Sequence, residues 1–137
     1  MLLNTICAAP IDVLLLEGWC LGFEAKAENP SGWIEPINQY LKQYNALYNK
    51  IDAMVVMQIP ELQWVYRWRE EAEAKMRAAN KPAMSVEETK DFIDRFYPVY
   101  QCYLPGLYRK SKTTPIPCLT FCLDEHRAPL NFQYYRP

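Results

Sequence analysis

Three short apolar runs set the limits on this fold. Residues 11–16 read IDVLLL, residues 53–57 AMVVM and residues 118–123 CLTFCL. Each is strand-length, and none nears the roughly 20 residues a membrane helix needs. Each is bounded by a turn former or a charge: Pro10 and Gly18, Asp52 and Pro60, Pro117 and Asp124. Runs apolar on both faces suit buried strands of a parallel sheet. Parallel neighbours need long crossovers, usually helical.

Such crossovers are legible between the runs. From Ile34, apolar side chains recur at 37, 41, 44 and 48, with 40, 47 and 51 beside them, and Pro36 suits a first turn. Residues 62–79 read as a long amphipathic helix ended by Asn80, Lys81 and Pro82. Ser85-Val-Glu-Glu88 is a capping box that opens a third helix, with Thr89, Phe92, Phe96, Tyr100 and Tyr103 as its apolar face. Pro98 should kink or split it. Residues 105–117, rich in Pro and Gly, read as a connector. The expectation is an α/β fold: one domain over 1–137, with a three-stranded parallel sheet flanked by helices.

Charge and cysteine content narrow the functions. A net charge of -1 gives no basic surface for nucleic acid or membrane. Five cysteines without C-x-x-C, and a single histidine, His126, argue against a zinc site and for reduced thiols in a cytoplasmic chain. The apolar N-terminus has no Lys or Arg ahead of it, and Pro10 and Asp12 interrupt it, unlike a signal peptide.

In parallel sheets ligands bind beyond the carboxyl ends of strands. That singles out Glu17, Gln58 and 124–127. Glu17 is either a solvated strand end or a magnesium ligand or water-orienting base. Gly18 allows a sharp turn after it. Trp19 and Phe23 either wall a pocket or cap the core. On the second helix Arg69 falls on the apolar stripe of 62, 65, 72, 76 and 79. An inward arginine must meet an anion, either a phosphate or a neighbouring carboxylate. Glu71/Lys75 and Glu73/Arg77 have ion-pair spacing, and Arg67 suits the same kind of pair. Arg95 suits a surface pair with Asp91, and His126 a loop. The phosphate loop G-x-x-x-x-G-K-[ST] occurs nowhere in the 137 residues.

IDVLLLEGWCLGF (11–23), VYRWREEAEAKM (65–76), AMS with an acidic helix start (83–88), FIDRFYPVYQCYLPGLY (92–108) and LDEHRAP (123–129) together resemble the C-terminal half of the D-glycerate 3-kinases. These are P-loop kinases related to phosphoribulokinase and uridine kinase. The resemblance implies phosphoryl transfer from ATP, with Mg²⁺, to glycerate. It implies that Glu17 holds Mg²⁺ or orients the attacking hydroxyl. It implies that Arg67 and Arg69 on a lid helix reach the transferred group. Asp124 and Arg127 would lie near the nucleotide base, and Trp19, Phe23 and Arg95 would line the glycerate pocket. Ala83 stands where the family usually has glycine. The family's phosphate loop and first strand lie before the EGW strand, which leaves this chain a partial sheet, inactive alone. A truncated kinase is the first expectation. The alternatives are a split kinase completed by another polypeptide, or a non-catalytic relic or interaction protein.

Overall fold

The computed structural model describes residues 10–30 and 32–137. A 3-10 turn at Gly32–Ile34 leads into α1 (Glu35–Leu41), a second at Lys42–Tyr44 into α2 (Asn45–Tyr48), and then come β1 (Met54–Gln58), α3 (Trp64–Ala78), α4 (Val86–Lys110), β2 (Cys118–Leu123) and β3 (Pro129–Tyr135). β1 and β2 pair in parallel, with Met54 opposite Cys118 and Gln58 opposite Cys122. The crossover between them is α3 plus α4. The sheet order is β1-β2-β3, and β3 runs antiparallel to β2 with an irregularity at Cys122/Leu123.

The α/β class stands, with two changes inside the sheet. Residues 11–16 are not a strand: they run without a pairing partner among the described residues, with Val13, Leu14 and Leu15 each at least 80% exposed. A strand exists only where a neighbour takes its backbone hydrogen bonds, and nothing described here lies beside this one. The third strand is instead β3, whose Leu130, Phe132 and Tyr134 alternate with polar residues. Pro129 is tolerated as its first residue.

The long helix behaves differently from its reading. The capping box forms as expected: the Glu88 amide donates to Ser85 Oγ (3.1 Å) and the Ser85 amide to Glu88 Oε2 (2.8 Å). Pro98 does not split the helix, which runs on past Pro105 to Lys110. The helix buries Thr89, Ile93, Val99 and Tyr103 rather than the Phe92 edge.

The main core joins Val99 and Tyr103 of α4 to Leu41 of α1 and to Cys20 and Phe23. Phe23 stacks on Tyr103 (ring centroids 5.5 Å apart). The chain reaches this core through a tight turn in which Cys20 and Gly22, not Gly18, take left-handed backbone angles. Gly22 is required on two counts: its φ is +89°, and a Cβ there would sit 2.9 Å from Leu107 Cδ1. Burial pushes the Cys20 thiol up to about 11, so it stays protonated at neutral pH. Cys7 lies outside the described residues.

Among the described residues, one face of the sheet is covered and the other is bare. Val56, Cys118 and Thr120 are buried beneath the helices, and Gln58 reaches Ser111 Oγ (3.4 Å). On the opposite face Val55, Met57, Phe132 and Tyr134 are all more than half exposed. No helix among the described residues is long and apolar enough to cross a membrane.

Asn38 stitches the layers together. It is fully buried. Its Oδ1 accepts from the Lys26 amide (2.8 Å) and the Tyr103 hydroxyl (2.9 Å), and its Nδ2 donates to the Lys26 carbonyl (3.1 Å) and Asn29 Oδ1 (2.9 Å). Asn38→Ala should cost on the order of 3 kcal/mol, since it strands several buried polar groups at once. Tyr103→Phe, which removes one donor, should cost about 1 kcal/mol. Urea midpoints of the two variants should fall in that order.

Candidate functional site

α3 carries most of the charged residues picked out by sequence, and its helical geometry sorts them. Arg67 and Arg69 are two positions apart, so they point to different sides. Arg67 turns towards the β2–β3 turn: Nη1 donates to Glu125 Oε2 (2.8 Å) and Nη2 to the Glu125 carbonyl (2.5 Å). The Trp68 indole donates to the same carbonyl (2.6 Å). Arg127 lies over the Trp68 ring, 5.4 Å from its centroid, and pairs with Glu71. Glu71 also lies 3.7 Å from Arg67 Nε. The structure therefore brings Arg67 and Arg127 together through Glu71, with Glu125 on Arg67 alone.

The turn that carries Arg127 is held by Asp124. Its Oδ1 accepts from the His126 and Ala128 amides, both at 2.8 Å, and its own amide donates to the Ala128 carbonyl (2.9 Å). One oxygen of Asp124 is thus committed to the backbone. Arg127 takes a left-handed conformation, φ 67°. His126 is an exposed loop residue, as its isolation in the sequence suggested.

Arg69 belongs to the other side of α3. Sequence periodicity turned it inward, but its side chain is 44% exposed, and the residue α3 buries is Glu73, beside the stripe. The anion it meets is a neighbouring carboxylate: Nη2 lies 2.5 Å from Glu73 Oε1. The other side of the guanidinium rests over Phe92, 5.3 Å from the ring centroid. Phe92 abuts Phe96 (5.0 Å), and Phe96 abuts Trp19 (5.0 Å). Trp19 donates from its indole to the Tyr100 hydroxyl (2.8 Å). An aromatic row on α4 thus connects Trp19, two residues after Glu17, to Arg69.

The expected ion pairs are re-partnered. Glu73 pairs with Arg69, Arg77 with Glu70, and Glu71 with Arg67 and Arg127. The i,i+4 spacing offers Glu71 and Glu73 two basic partners each, whereas Glu70 meets Arg77 from seven positions away. Arg95 is exposed and forms no pair with Asp91 among the described residues; the acid engaged nearby is Asp94, with Lys90 (2.5 Å) and the Tyr66 hydroxyl (2.6 Å). Phe23 is a core residue, 3% exposed, with no surface to offer a pocket. Trp19 keeps about half its surface free.

Glu17 is exposed and enters no ion pair among the described residues. No three potential metal-ligating side chains cluster there either. A lone free carboxylate fits Mg²⁺ in the mode where the ion keeps several waters and takes its other ligands from phosphates. It does not fit a protein-built metal cage. Sequence reasoning included Glu125 only within 124–127, without a role, and missed Trp68 and the buried role of Glu73. The first two act through a tertiary contact with α3, which no local pattern encodes.

No family model matches the chain. Over 130 residues it is 41% identical to the chloroplastic D-glycerate 3-kinase of Arabidopsis thaliana, covering 88% of this chain and 28% of that protein. Among solved structures it is similar to the YGR205w protein, with a TM-score of 0.83 and 25% identity over 93% of this chain and 49% of that one. It is similar also to D-glycerate 3-kinase from Cryptococcus neoformans var. grubii, with a TM-score of 0.75 and 29% identity over 93% of this chain and 51% of that one. The chain spans about half the length of these solved relatives, and less of the plant enzyme.

Arg67 holds the Glu125 carboxyl below its ordinary value of 4.5, first by hydrogen bonding and then by charge. A carboxylate lowered on folding contributes stability that is present above the ordinary value and lost as pH falls through the folded one. The Arg67–Glu125 ion pair should therefore persist at neutral pH and be lost only as pH falls below the ordinary carboxylate range. The Trp68 indole N–H resonance reports it, and it should titrate with Glu125 and stop doing so in Glu125→Gln.

Proposed function

Because this chain belongs to the D-glycerate 3-kinase family, we propose that it forms one side of a kinase domain that transfers a phosphoryl group from ATP to glycerate or a similar hydroxy acid. The observation that carries the reading is the pair of guanidinium groups on α3. Arg67 and Arg69 are each anchored by a carboxylate on one side and open to solvent on another. Arginine forks match phosphate oxygens and keep their charge at any working pH.

Phosphoryl transfer asks little covalent chemistry of a protein and much positioning and charge stabilisation. On this reading Arg69 faces the transferred group, and Arg67, which points to another side of α3, reaches it only as the lid closes. Arg127 and the free oxygen of Asp124 lie on the nucleotide side. Trp19 and Arg95 contact the hydroxy acid. Glu17 holds Mg²⁺ or orients the attacking hydroxyl. When bound, Mg²⁺ neutralises charge on the phosphates. The α3–α4 unit acts as a lid that excludes water. The free thiols of Cys20, Cys102, Cys118 and Cys122 suit a reducing compartment, and the cytoplasm is the one proposed.

The 137 residues hold no G-x-x-x-x-G-K-[ST], so on this reading the phosphate cradle comes from polypeptide outside them. A second reading, that the chain works by binding another polypeptide, draws on the bare sheet face and the unpaired 11–16 run. An unpaired extended run can pair with a partner's strand, and an apolar sheet face can be covered by packing.

The purified 137-residue chain should give no ADP from ATP·Mg²⁺ and glycerate. Adding the portion of a glycerate 3-kinase that this chain does not span should restore turnover. Arg69→Ala should then lower it by about 10²-fold or more, the scale for losing one transition-state charge partner. Robust turnover by the chain alone would sink the requirement for an external cradle. Binding of the added portion without turnover would favour the second reading.

A further inference from the structure

We propose that Glu73 is a positioning residue: it fixes the Arg69 guanidinium so that its outward donors are already aligned for an anion. The inference rests on the kinase reading of Arg69, but not on the identity of the acceptor substrate.

Glu73 is 2% exposed, and burying a carboxylate costs several kcal/mol unless its oxygens are satisfied. Both are. Oε1 takes Arg69 at 2.5 Å, and Oε2 accepts from the Met84 amide at 2.9 Å. Only the carboxylate of this pair is buried; Arg69 is 44% exposed, so water screens the attraction while the desolvation cost of Glu73 remains. The pair adds little over apolar side chains of the same volume. Its presence therefore calls for another reason than stability. The geometry supplies one. The guanidinium is held by Glu73 and lies over the Phe92 ring, while its side chain stays 44% exposed. A free arginine loses its rotamer freedom when it meets a ligand. This one has lost much of it beforehand. The Met84 amide extends the arrangement. It lies next to the Ser85 cap of α4, and the Met84 carbonyl accepts from Arg77, which also pairs with Glu70. The Arg69 anchor is thereby tied to the segment that joins α3 to α4.

The competing reading is that Glu73 only neutralises Arg69, and the two readings differ in sign. If Glu73 neutralises, removing its charge strengthens anion binding. If it positions, removing it weakens binding although the site becomes more positive.

The test uses the full chain and inorganic tripolyphosphate, followed by ¹⁵N spectra of the Arg69 Nε–H, which Arg69→Ala assigns. In the wild-type chain that N–H should be sharp and slow to exchange with solvent, and tripolyphosphate should shift it. Glu73→Gln keeps an acceptor for Met84 but loses the charge. It should speed exchange and weaken tripolyphosphate binding about five- to tenfold, the cost of ordering one free side chain on binding. Glu73→Asp keeps the charge but withdraws it by one methylene, and it should weaken binding as Gln does. Unchanged exchange, or equal or tighter binding in Glu73→Gln, overturns the proposal; so does an Asp variant that behaves as wild type. If exchange responds as expected but tripolyphosphate never shifts the wild-type signal, the positioning of Arg69 stands and the kinase reading of Arg69 falls instead.

Discussion

Val99 and Tyr103, four positions apart on α4, leave water together with Phe23 and Leu41. That contact joins three stretches of chain far apart in sequence, and the rest hangs from it. Through Phe23 it fixes the turn at 18–23 and hence where Trp19 lands on α4. Through Tyr103 it reaches Asn38 and orders α1. Tyr48 adds a polar tie on the same turn, donating to the Phe23 carbonyl (2.7 Å) and accepting from the Gly22 amide (3.0 Å). A helix of 25 residues with two internal prolines stays whole because a capped start and a long buried face outweigh a local penalty of ~3 kcal/mol for a proline.

The distribution of charge on α3 follows from the same frame. Packing against α4 draws Glu73 inward, and the β2–β3 turn takes Arg67. Two arginines two positions apart thus acquire different neighbours and different supports. The first shares a polar cluster with Arg127, Glu71 and Glu125. The second sits at the end of the aromatic row that starts at Trp19.

What the sequence made legible is what local chemistry governs. The Ser85 capping box, the α3 span, the β1 and β2 runs and the parallel pairing of those two strands all follow from periodicity and turn formers. The run at 11–16 shows the limit. Its composition says that it is suited to burial, but not that a neighbour is present to bury it. β3 alternates cleanly at 130, 132 and 134, but the charged run Asp124–Arg127 before it reads as readily as a site at a strand end as it does as a hairpin turn. Arg69 was turned the wrong way because a periodic stripe is about a helical position wide, and the adjoining Glu73 had a closer claim on the interior. The site residues were found mainly by resemblance. Of their partners, Glu125 and Trp68 act through contacts that exist only once the chain is folded, and Glu73 stands at i,i+4 spacing from both Arg69 and Arg77, so packing decides its choice.

The left-handed backbone at Arg127 carries a consequence of its own. A non-glycine residue in that conformation costs on the order of 1 kcal/mol. Stacking of its guanidinium over Trp68 returns about 0.5–1 kcal/mol at an exposed site, and a surface pair such as that with Glu71 between 0 and about 1. The two sides nearly cancel. Glycine here would relax the turn and give up the contacts, with little net change in how firmly the chain folds. What would be lost is a second guanidinium beside Arg67, so the choice of residue at this turn is all but invisible to folding and falls almost wholly on local charge.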